Sequence, residues 1–136
     1  MEDVELFAGI REAVMKLHED GFQMGILSSN SADNVRTFLS RCELLSCFSF
    51  IEAGVSLFGK PQRILNVMKK EKADPNRVIY VGDETRDMEA ARKSKVSGLA
   101  VCWGANEREA METEGPAYCI DEPAELIRVA REFAAS

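Results

Sequence analysis

Short β-type runs alternate with amphipathic helical stretches along the whole chain, and this alternation limits the fold more than any other feature. Ile10, Val14 and Leu17 fall at helical spacing over residues 10–19, and Gly21 follows as a stop signal. Residues 22–27 form an apolar run of strand length. A helix over 31–40 then places Val35, Phe38 and Leu39 on one face. A second strand is expected at 48–51, and Pro61 opens a helix buried through Ile64, Leu65, Val67 and Met68. After the Asp74-Pro75 turn come a strand at 78–81, a helix at about 85–95, a strand at 98–102 and a short strand at 117–120. Pro123 starts a final helix with Leu126, Ile127, Ala130 and Phe133 inward. Strands separated by helices imply a parallel sheet covered on both faces, an α/β fold of the Rossmann-like, three-layer kind. Ligands of such sheets bind beyond the carboxyl ends of the strands.

With 136 residues and no linker rich in Pro, Gly or Ser, residues 1–136 read as one domain. Hydrophobic residues at 46% and charged residues at 29% give an ordinary globular balance. The formal net charge of -6 repels phosphate backbones and anionic lipid, which argues against nucleic acid and membrane as partners. Cys42, Cys47, Cys102 and Cys119 form no CxxC pair, and His18 alone completes no zinc spacing, so reduced thiols in a cytoplasmic protein are expected. Residues 1–20 are rich in carboxylates and lack the apolar run of a leader peptide. Met88, Met111 and Trp103 read as packing residues and His18 as a surface side chain.

Three strand ends carry polar groups. The first leads into Ser28-Ser29-Asn30, where hydroxyls and backbone N–H groups ahead of a helix suit an anion, or else cap that helix. The second leads to Gly59-Lys60-Pro61. A cation is unfavourable at a helix start, so Lys60 in this place suggests a task such as neutralising an anion. The third ends in Gly82-Asp83-Glu84-Thr85-Arg86-Asp87. Asp83, Glu84 and Asp87 repel one another unless a cation lies among them, and hard oxygen ligands with retained waters suit magnesium. The competing reading makes Asp83 the N-cap, with Glu84 and Asp87 complementing the helix dipole.

Hydroxyl, lysine and GDxxxD loop, in that order and each after a strand, resemble the haloacid dehalogenase-like superfamily, mostly phosphatases that work through an aspartyl-phosphate. The Ala90-Ala91-Arg92 segment and Trp103-Gly104 are similar to its phosphoglycolate phosphatase-like branch. The resemblance implies that residues 78–87 form a buried strand and a magnesium loop beside a phosphate. It implies phosphate binding by Ser28, Ser29, Asn30 and Lys60, with Ser28 and Lys60 in the catalytic set. It also implies Mg held directly by Asp83, with Asp87 and Glu84 acting through water or from behind. A small phosphorylated metabolite would be the substrate.

The family's first motif, a strand ending in DxDx(T/V) that carries the nucleophile, has no match here. Glu2-Asp3-Val4-Glu5 has no apolar strand before it and a Glu at the second Asp position. The resemblance therefore implies a core without its central first strand and cap, no significant turnover by this chain alone, and weak magnesium affinity. The strands ending at Ser28 and Asp83 would then close on each other, or their unpaired edges would be filled by another chain, giving a homo-oligomer. A non-catalytic phosphate- or magnesium-binding module, or a partner subunit, is the competing reading. A receiver-like domain fits poorly, because no carboxylate ends the run before Ser28.

Overall fold

The computed structural model describes residues 9–56, 59–103 and 108–135. Internal contacts divide the chain into two compact units, Met1–Leu57 and Phe58–Ser136.

In the first unit, helix α1 (Ile10–Glu19) buries Ala13 and Leu17 and ends ahead of Gly21, whose φ of 90° suits glycine. Strand β1 (Gly25–Leu27) and strand β2 (Phe50–Glu52) pair in parallel, with Gly25 opposite Phe50 and Leu27 opposite Glu52. A side chain at Gly25 would meet the Phe50 ring at 2.0 Å, so the bare backbone lets that ring lie across the strand. Between the strands, helix α2 (Ala32–Arg41) starts at Ser31, whose hydroxyl accepts the Asn34 N–H at 3.2 Å. Val35, Leu39, Leu44 and Cys47 form this unit's core, with Ile26, Phe38 and Ile51 packed against it. Each fully buried aliphatic side chain of this kind contributes about 1.5–3 kcal/mol.

In the second unit, strands β3 (Ile79–Gly82), β4 (Ser97–Val101) and β5 (Tyr118–Ile120) form a parallel sheet in that order. Helices α3 (Lys60–Glu71), α4 (Thr85–Lys93), α5 (Arg108–Thr113) and α6 (Glu125–Ala135) complete it. β4 has a strand on each side, and its Leu99 and Ala100 are wholly buried.

Both sheets are parallel, as the alternation of elements requires. Among the described residues β1 pairs with β2 alone and β3 with β4 alone. A first strand formed by residues 1–6 lies outside the described residues. The 78–81 run is also less covered than its apolar composition suggests, because among the described residues β3 ends its sheet and Val81 keeps 45% of its surface exposed.

Candidate functional site

The acidic loop begins where β3 ends. Asp83, the first residue past the strand, is exposed, and Glu84 is the N-cap of α4. The hydroxyl, lysine and carboxylate positions fall in both units: Ser28, Ser29 and Asn30 in the first, Lys60, Asp83, Glu84 and Asp87 in the second.

Asp87 lies in the first turn of α4 and is 5% exposed, a burial that a carboxylate tolerates only with partners. It has three. Lys60 Nζ donates to Oδ1 at 2.5 Å, Tyr80 Oη approaches the same oxygen at 3.4 Å, and the Glu84 N–H donates to Oδ2 at 3.2 Å. Lys60, the first residue of α3, is itself 8% exposed, so this is a buried ion pair. The Ser94 hydroxyl donates to the Pro61 carbonyl at 3.1 Å and ties the start of α3 to the end of α4, holding the lysine in place. Gly82 makes room for the carboxylate: a Cβ there would lie 2.3 Å from Asp87 Cβ. Lys60 thus does have a task at its unfavourable helix position, and within the unit that task is to balance Asp87.

Tyr80 is a member of this cluster that the motif spacing missed. The available signal was period two, since Tyr80 and Gly82 share a strand face and Gly82 faces Asp87. Burial, and after it the Asp87 charge, push the Tyr80 phenol well above its ordinary value of 10.0, so it stays a neutral donor.

Ser28 directly follows β1. Its hydroxyl accepts the Asn30 N–H at 3.1 Å, and its carbonyl accepts the Val55 N–H at 3.0 Å. The Gly54 N–H reaches the Asn30 carbonyl at 2.7 Å, so the loop after β1 is clipped to the loop after β2. Ser29 and Asn30 are exposed. Capping of α2 falls to Ser31 and not to this trio.

Magnesium is bound through one or two carboxylates together with waters and phosphate oxygens. Asp83, exposed at the strand tip, suits that role, with Glu84 beside it. Asp87 does not gather with them, because its oxygens are turned to Lys60, Tyr80 and the Glu84 N–H. Among the described residues no group of three or more His, Cys, Asp or Glu side chains could hold a metal. The residues present fit a magnesium ion in part, as one wall of a site.

Over residues 1–101 the sequence matches the family of haloacid dehalogenase-like hydrolases. The chain belongs to that family. A phosphoglycolate phosphatase of Synechococcus elongatus is 37% identical over 125 residues, which span 92% of this chain and 59% of that enzyme. A phosphoglycolate phosphatase of Pseudomonas syringae pv. syringae is 28% identical across 90% of this chain and 46% of its own length. The haloacid dehalogenase-like chain therefore spans about half the length of the curated relatives it matches. A haloacid dehalogenase-like hydrolase of Streptococcus pneumoniae superposes with a TM-score of 0.80 at 22% identity, covering 92% of this chain and 60% of that one. A predicted phosphoglycolate phosphatase of Haemophilus somnus gives 0.82 at 20% identity, covering 92% and 57%. At such identities the superpositions establish the fold, a Rossmann-like α/β core.

Proposed function

We propose that this chain is the phosphate-handling part of a phosphoglycolate phosphatase-like hydrolase acting on a small phosphorylated metabolite, and that it turns over little on its own. The observation that carries this reading is the buried Lys60–Asp87 pair, whose carboxylate lies four residues along the chain from the exposed Asp83. A lysine held at the start of α3 by Asp87 offers a cationic donor to a phosphoryl group, and the exposed Asp83 carboxylate offers a ligand to the counter-cation. In this reading Asp83 holds Mg, with Glu84 acting through water. The metal would supply neutralisation of the phosphate charge. Ser28, Ser29 and Asn30, in the first unit, carry hydroxyl, amide and backbone donors of the kind that bind a phosphate. Covalent phosphoryl transfer needs a nucleophilic carboxylate, and no DxDx(T/V) motif stands in this sequence to provide one. The cysteines are free thiols, in keeping with a cytoplasmic setting.

A second reading, a partner subunit completed by another chain, is favoured by the half-exposed Val81 on β3, the end strand among the described residues.

Calorimetric titration with 2-phosphoglycolate in the presence of magnesium tests the proposal, alongside an assay of phosphate release. Weak binding that disappears in Asp83→Asn, with no release above background, is the expected result. Phosphate release abolished by Asp83→Ala would overturn the predicted inactivity. Absence of binding to the folded chain would overturn the phosphate-handling reading.

A further inference from the structure

We propose, on the reading that Lys60 meets a phosphoryl group, that Tyr80 is its positioning residue: the phenol stays on Asp87 as a second donor and so leaves the lysine free to turn to an anion. Lys60 and Asp87 are 8% and 5% exposed, and the ammonium lies 2.5 Å from Oδ1. A buried carboxylate stripped of its counter-ion is costly. With no other partner, Asp87 would hold the ammonium fast, and an anion could win Lys60 only by stranding that charge.

The structure provides other partners. An ionised carboxylate has about four acceptor sites on its two oxygens. Asp87 Oδ1 receives both the Lys60 ammonium and the Tyr80 hydroxyl, and Oδ2 receives the Glu84 N–H at 3.2 Å. With the ammonium drawn aside, each oxygen still has a donor. Tyr80 now stands 3.4 Å from the oxygen it shares with the lysine. That is longer than the roughly 2.7–2.8 Å of a full O–H···O bond, so the hydroxyl has room to close up as the lysine withdraws. It keeps its proton while doing so, because burial, and after it the Asp87 charge, raise the phenol above its ordinary value.

Lys60 has donors to spare. An ammonium carries three N–H groups, and the Asp87 oxygen takes one of them. The surrounding backbone is held still: the Ser94 hydroxyl ties the Pro61 carbonyl at the start of α3, and Gly82 leaves the space that Asp87 occupies. Only the tip of the lysine has to move.

The Lys60 ammonium signal in the NMR spectrum of the isotope-labelled full chain, identified by its absence from Lys60→Met, follows the lysine during titration with 2-phosphoglycolate and magnesium. The wild-type signal should shift. In Tyr80→Phe, with the fold retained by circular dichroism, the half-point should rise about tenfold, the scale of one hydrogen bond to a charged group. In Asp87→Asn no charge is left to strand, so adding Tyr80→Phe to that variant should leave its half-point unchanged. Equal half-points in the wild type and Tyr80→Phe would make the phenol a structural contact only and overturn the inference. So would a tenfold loss that persists in the Asp87→Asn background, since Tyr80 would then not act through Asp87. A wild-type signal that the titration leaves unmoved would overturn the phosphate-donor reading of Lys60, and the positioning role with it.

Discussion

Asp87 shows what the spacing of charges could and could not tell. Asp83, Glu84 and Asp87 are close in sequence, and their mutual repulsion was legible as a demand for positive charge. Which cation answers it was not, because Lys60 lies 27 positions away and reaches Asp87 only through the packing of α3 on α4. Removing one member of a buried pair strands the other, so Asp87→Leu or Lys60→Met alone should each cost about 3–5 kcal/mol. The double variant should lose less than the sum, and urea unfolding of the four proteins measures the coupling. Tyr80 adds a pH dependence. Its proton is held more tightly in the folded chain than at the ordinary value of 10.0. Above that pH the unfolded chain gives up this proton first, so folding stability should fall as the solution becomes more alkaline and be intact below it. Tyr80→Phe, which has no proton to lose, should show a shallower alkaline decline in its urea midpoint.

At the scale of elements, legibility followed the strength of the local signals. Helix α1 runs from Ile10 to Glu19 as its spacing and the Gly21 stop require. Helix α5 had no such signature: of its six residues Met111 alone is buried, and one apolar position sets no period. In α6 the inward face includes Val129, 1% exposed, while Ile127 and Phe133 are half-exposed, a rotation that packing on β5 decides and composition does not. The strands are shorter than their apolar runs, β1 covering Gly25–Leu27 of a run that starts at Phe22. A ladder ends where its partner ends, whatever residues follow. The Ser28–Asn30 segment left open whether it caps α2 or holds an anion, and Ser31 takes the cap. Ser31→Ala should therefore lower stability by about 1 kcal/mol in urea unfolding, the usual cost of losing such a cap.

For the whole molecule, the informative contrast is between β3 and β4. Both are apolar, yet β4 is enclosed while, among the described residues, β3 has one strand neighbour and leaves Val81 at 45% exposure. A β-branched run that looks like an interior strand but stands at a sheet end offers unpaired backbone groups and apolar surface together, which is the usual route to strand addition. The order of strands was legible as alternating elements. The bare edge was not, because a strand's neighbours are set by topology and its composition records only that cover is wanted. The chain should accordingly associate with itself as concentration rises, in sedimentation velocity. Val81→Lys places a solvated cation on that edge and should shift the protein toward the monomer. Because Val81 is already half in water, its replacement should move the urea midpoint little, within about 0.5 kcal/mol. A wild-type chain that stays monomeric at high concentration would show that the β3 edge is closed to strand addition, and would remove the support it gives to a partner-subunit role.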